Sequence, residues 1–144
     1  MKPTIRKLLV KKLDNLFSLY IRLRTRNYSG PNCPFCSKNP IECCFHFITR
    51  AKYSVRWDDR NAVGSCSGCN YRMEYDPHKY IKWYIDHYGK DSYDELIRDS
   101  NIIKKRDNED LRLLGLEIKQ KMFLEGLKKK FRRKPWAGER PFQR

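Results

Sequence analysis

CPFCSKNPIECCFHFITRAKYSVRWDDRNAVGSCSGCN, residues 33–70, carries two CxxC pairs, Cys33/Cys36 and Cys66/Cys69, about thirty residues apart. Each CxxC turn presents two thiolates on one side of a tight knuckle. Two knuckles together close a tetrahedral sulfur shell of the kind that suits Zn²⁺, and a shell with no position left for water is structural rather than catalytic. Turn formers lie inside both pairs: Pro34 in the first, Ser67 and Gly68 in the second. Two cysteines are left over. Cys43 and Cys44 fall in the β-branched and aromatic run Ile41–Thr49, which reads as a strand. Core packing is expected of both, although Cys44 shares a strand face with His46 and stays open as a ligand.

Working outward from the knuckles, Ala62–Ser65 reads as a return strand and Asp58-Asp59-Arg60 as a turn. Val55–Trp57 is either a short strand or part of the loop. A hairpin whose outgoing strand carries His46 and whose return strand starts near Asn61 brings those two side chains together. A helix beginning at the second knuckle then presents Asn70 to the same place. A lone histidine in an apolar strand is usually a core residue, but His46 has polar company.

Further out the chain is helical. Leu9, Leu13, Leu16, Phe17, Tyr20, Ile21 and Leu23 recur at spacings of three and four over Thr4–Arg26, predicting an amphipathic helix. Its other side is basic, with Lys7, Lys11, Lys12, Arg22, Arg24 and Arg26 and the lone acid Asp14. Tyr28–Asn32 is a turn. Pro77–Tyr88 predicts a helix with proline in its first turn and Gly89 as its C-cap; the aromatics on it are mainly core. Ser92-Tyr-Asp-Glu95 reads as a capping box opening a further short helix. Asp107–Lys130 is a long helix with Leu111, Leu114, Ile118 and Met122 on one face. The expected class is α+β. Residues 1–100 form the zinc-stapled core with its N-terminal helix and 101–130 a helical extension. Residues 131–144 form a basic tail without periodicity, expected to be disordered when free.

Net charge is +15 over 144 residues, and it is concentrated at the ends. Residues 1–30 hold eight basic side chains against one acid, and residues 128–144 again eight against one. A polyanionic partner follows, nucleic acid before an anionic membrane surface. Lys11, Lys12, Arg22, Arg24, Arg26, Arg50, Arg56, Lys128, Lys129, Lys130, Arg132, Arg133 and Lys134 are the candidate phosphate contacts. No apolar run reaches the roughly 20 residues a membrane span needs. The basic N-terminus has no apolar signal segment, and paired CxxC motifs in such a chain indicate metal rather than disulfides. An intracellular protein is expected.

The segments LDNLFSLYIRLR (13–24), CPFC (33–36), HFITR (46–50), VRWDDRNAVGSCSGCN (55–70) and KYIKWYIDHYG (79–89) together resemble the HNH endonucleases of ββα-metal fold. They are most similar to the phage recombination endonucleases called NinG or Rap, over roughly residues 13–97. That resemblance implies a metal-dependent DNA endonuclease acting on branched recombination intermediates such as Holliday junctions or D-loops, working in the host cytoplasm if phage-encoded. It implies His46 as general base, Asn61 as the residue that holds the loop and the histidine, and Asn70 as a ligand of a catalytic Mg²⁺ or other divalent ion. Many HNH enzymes have a metal-binding Asp or His just before the base; here that residue is Phe45. Asp58, Asp59, His78 and Cys44 are candidate substitutes. Cleavage of a symmetric junction would favour a homodimer, with the 107–130 helix available as its interface. The alternative is a non-catalytic zinc module that binds DNA or RNA.

Overall fold

A computed structural model describes the backbone of residues 1–131 and the side chains of residues 1–128. The expected tail, and the side chains of Lys129, Lys130, Arg132, Arg133 and Lys134, lie outside that range. The described residues form five α-helices and a two-stranded antiparallel sheet. In chain order these are α1 (Ile5–Ser29), β1 (Cys43–His46), β2 (Ala62–Ser65), α2 (Ser67–Arg72), α3 (Pro77–Tyr88), α4 (Lys90–Ser100) and α5 (Asn108–Phe131). Among these residues no helix is long and apolar enough to cross a membrane.

Helix α1 starts on an N-cap from Thr4, whose hydroxyl accepts from the amide of Lys7, and ends at Gly30 with φ 82°. Its buried side carries Leu13, Phe17, Tyr20 and Ile21. The hairpin packs across it, and α5 runs alongside it in parallel: Arg6 reaches the carbonyl of Arg106, and twenty-one residues on Asn27 reaches Glu125. Leu111 and Ile118 of α5 thereby join Leu13, Phe17, Trp57 and Ala62 in one apolar cluster.

A second cluster is aromatic and lies on the other face of the hairpin. Phe45 and Phe47 pack against Tyr80 and Tyr84 of α3, with Phe35 of the first knuckle 4.7 Å from Phe45 between ring centres. Three of the four knuckle cysteines, Cys33, Cys66 and Cys69, are buried in the same cluster. Phe45, which has no ligand atom to offer a metal, is wholly buried there as a core side chain.

β2 sits so close to α1 that position 64 has no room for a side chain. A Cβ on Gly64 would lie 2.8 Å from Ile41 and 3.1 Å from Thr25. The Thr25 hydroxyl uses that proximity, accepting the Gly64 amide at 2.8 Å while donating to Ile21 at 2.9 Å. A strand amide with no strand partner is thus satisfied by a helix.

Two local expectations change and one open alternative is decided. The strand expected over Ile41–Thr49 is regular only over Cys43–His46, because its partner is four residues long. Of the two alternatives for Val55–Trp57 the structure takes the loop: the Val55 carbonyl accepts from Asn61, and the side chains of Arg56 and Trp57 donate to Asp14. Ser92 does not cap α4. Gly89, at φ 90°, ends α3 and α4 begins at the next residue, leaving Ser92 inside its first turn and Glu95 facing Arg60.

Candidate metal centre and the His46 hairpin

The first knuckle folds because Cys33 donates its amide to Asn39 at 2.7 Å and accepts that of Ser37 at 2.8 Å. The second opens α2, where the Cys66 sulfur accepts the Cys69 amide at 3.4 Å. The four ligand sulfurs of Cys33, Cys36, Cys66 and Cys69 all lie within 4.8 Å of one another, and those of Cys36 and Cys66 are 3.8 Å apart. A tetrahedron with Zn–S bonds of about 2.3 Å has sulfurs about 3.8 Å apart. The cluster could therefore hold a metal ion such as zinc. Backbone amides of Asn39 and Lys38 favour the Cys36 thiolate and lower its pKa to about 6, whereas burial pushes Cys69 up to about 12. A cation at the centre would displace the protons that burial favours.

His46, half-buried at the end of β1, faces α1, its ring centre 5.9 Å from that of Phe17. Its Nε2 lies 3.1 Å from the main-chain carbonyl of Arg56. A carbonyl only accepts, so Nε2 carries the proton and Nδ1 is left with a free lone pair. Burial lowers the ring pKa to about 4, with the Arg56 carbonyl opposing and the Arg50 charge adding to the effect. The imidazole is neutral at pH 7.

The loop that supplies this carbonyl is held from two sides. Asn61, wholly buried, accepts the Ile48 amide at 2.7 Å and donates to the carbonyls of Ile48 and Val55 at 3.0 Å each. Asp14 of α1 takes the Arg56 guanidinium through two hydrogen bonds, 2.9 and 2.6 Å, and the Trp57 indole at 3.0 Å. Asp14, the lone acid on the basic side of α1, anchors the loop.

Asn70 is exposed on α2, a helix that packs against β1. The proposed substitutes do not gather round His46. Asp58 is bound by Arg60 at 2.7 Å, Asp59 by the Tyr20 hydroxyl and Lys121, and His78 is exposed near the start of α3. Burial pushes the Cys44 thiol up to about 12, which keeps it protonated. Among the described residues, the four cysteines are the one group of three or more His, Cys, Asp or Glu close enough to share an ion. Cys43 and Cys44 are half-buried, Cys44 against the α1–α5 cluster.

The candidate phosphate contacts divide. Lys11, Lys12 and Arg50 are exposed, Arg50 with a loose 3.9 Å pair to Asp14. Arg22 and Arg26 reach main-chain carbonyls of Glu42 and Ile41 from the surface, and Lys128 pairs with Glu125. Arg24 and Arg56 are corrections. Arg24 is 3% exposed and donates to the carbonyls of Asp59 and Ala62, and Arg56 is committed to Asp14. Both are cations used to tie the loop to α1.

Arg60 was not expected at all. It joins Asp58, Glu95 and Asp99 and so fastens the loop to α4. A cavity of about 750 Å³ between Tyr28, Cys33, Trp83, His87 and Tyr88 does not include His46. No protein-family model, curated protein or solved structure matches the chain.

Proposed function

We propose that the chain is a zinc-stapled, structure-selective DNA endonuclease of HNH type, acting on branched recombination intermediates with His46 as general base. One observation carries the reading: a neutral histidine at the end of β1 has its Nε2–H held by the Arg56 carbonyl, in a loop that the buried Asn61 pins in place. A fixed tautomer also suits a packed histidine whose ring N–H is satisfied. A general base requires one, with its free nitrogen toward the attacking water.

In this scheme Nδ1 of His46 takes a proton from water as its oxygen bonds to phosphorus. The bond from phosphorus to the leaving sugar oxygen breaks, and that oxygen gains a proton from solvent. An approaching phosphate brings negative charge that raises the ring pKa from about 4 toward neutrality. Exposed Lys11, Lys12 and Arg50, with the basic C-terminal segment, supply phosphate attraction. The cysteine shell, having four sulfurs, would serve as the staple for zinc. A divalent ion such as Mg²⁺ would be held by the Asn70 amide oxygen and the substrate's own phosphate, and would supply positive charge for the leaving oxygen.

A specific observation favours the second reading, a non-catalytic nucleic-acid-binding module. Asp58 and Asp59 are tied up in ion pairs, and among the described residues His46 belongs to no group of three or more His, Cys, Asp or Glu close enough to share an ion. The test is incubation of labelled linear, flapped and four-way DNA with Mg²⁺, beside His46→Ala and an RNA competitor. Cleavage of branched DNA that falls about 10²–10⁴-fold in His46→Ala, with binding retained, is expected. A wild type that cuts nothing under any divalent metal leaves the binding module, and a variant with full specific activity removes His46 as the base.

A further inference from the structure

Helix α5 is apolar on two opposite sides. One side, at positions 111, 115, 118, 122 and 125, lies on α1: Leu111 and Ile118 are buried, Gly115 faces Leu13, and Glu125 binds Asn27. At about 100° per residue, Leu113, Leu116, Gln120, Phe123 and Leu127 centre roughly 160° away. The four hydrophobic members of that stripe are 52%, 62%, 66% and 36% exposed, and Leu124 beside them 51%. An ordinary surface helix turns one apolar stripe inward and a polar face outward. Here the outward face repeats at alternating spacings of three and four, the spacing of a coiled-coil seam.

The borders of the seam identify its occupant. Arg112 and Lys119 lie along one edge, Asp110 and Glu117 along the other. Lys121 and Lys128 turn back to their own chain, to Asp59 and Glu125, while Arg112 has only an exposed 3.2 Å pair to Glu109 of its own helix, weak enough to be exchanged. A parallel helix of the same sequence sets the basic edge against the acidic one, with Arg112 opposite Glu117 of the other copy, twice by symmetry. It also stacks Gln120 on Gln120, a polar layer that fixes register. An antiparallel copy would set the basic edge against itself. We infer that the outward face of α5 is the self-association surface of this protein, pairing two copies in parallel. Such pairing does not depend on whether His46 is a base.

The experiment is sedimentation equilibrium of the full, zinc-loaded chain over micromolar concentrations. The wild type should show a reversible monomer–dimer equilibrium. Leu116→Glu with Phe123→Glu should be monomeric with an unchanged circular dichroism spectrum, since both side chains are exposed. Arg112→Glu should weaken association roughly tenfold, and adding Glu117→Arg should restore it. Leu113→Cys should cross-link to its counterpart on mild oxidation only if the helices are parallel. A monomeric wild type, a dimer that survives the Leu116/Phe123 change, or a charge swap without rescue would each overturn the pairing.

Discussion

Replacing Asn61 by alanine tests the loop latch directly. The side chain makes three hydrogen bonds, at 2.7, 3.0 and 3.0 Å, to Ile48 and Val55 main-chain groups, and it is 0% exposed. Truncation leaves the Ile48 amide and carbonyl without these partners and the Val55 carbonyl with the Asp58 amide alone. At roughly 1 kcal/mol for each lost bond, with a further desolvation penalty for stranded groups, the cost is about 3–5 kcal/mol. Typical domains hold only about 5–15 kcal/mol in all. For a chain of this size that is a fall in Tm of about 10–15 °C. The assay is thermal and urea denaturation of the zinc-loaded protein, with Cm expected to drop and the urea slope to stay constant. Zinc content should hold in the folded fraction, because Asn61 touches neither knuckle. A Tm within about 3 °C of wild type would refute the latch, and with it the account of why the Arg56 carbonyl stays on His46.

Two further outcomes follow from the metal centre and from burial. Purified protein should carry about one zinc per chain by elemental analysis, chelation should unfold it, and Cys36→Ser or Cys69→Ser should be insoluble or molten; a folded, metal-free sample would contradict the staple. His46 has a folded pKa of about 4 against about 6.5 when unfolded, so the unfolded chain binds the extra proton: this contribution is full above pH 6.5 and is lost as pH falls toward 4. Relative to His46→Asn, the wild type should lose about 1.5 kcal/mol between pH 6.5 and 5, measured by urea denaturation at each pH, and parallel curves would refute the burial argument.

What could be read from the sequence was whatever local chemistry specifies. Proline and glycine at the two ends of α3 gave its bounds to the residue, and the knuckle cysteines carried their own turn formers. The loop between the strands was opaque because long-range polar pairs hold it: Asp14 with Arg56, Asn61 with Ile48, Arg60 with Asp99. Nothing in a single chain announces which acid meets which base. Arg24 did have a signal. It falls seven residues after Phe17 and three after Ile21, on the apolar side of α1, and an arginine at such a position is there to bond inward. The parallel docking of α5 on α1 had none, since helix periodicity gives a face but not its partner or direction.

The α1–α5 pairing joins the first helix of the described chain to its last, about a hundred residues apart, as Asn27 to Glu125 illustrates. On the ribosome, Leu13 emerges with α1 and waits about a hundred residues before Leu111 and Ile118 join its cluster, long after Trp57 and Ala62 of the hairpin loop have arrived. Closure of so long a loop slows folding and leaves the waiting surface open to misassociation. A message cut short before residue 111 would still encode the knuckles and the hairpin. It would release them with the apolar flank of α1 bare, so loss of the C-terminal helix should reach the cell as aggregation and turnover before it is felt as a change in any activity.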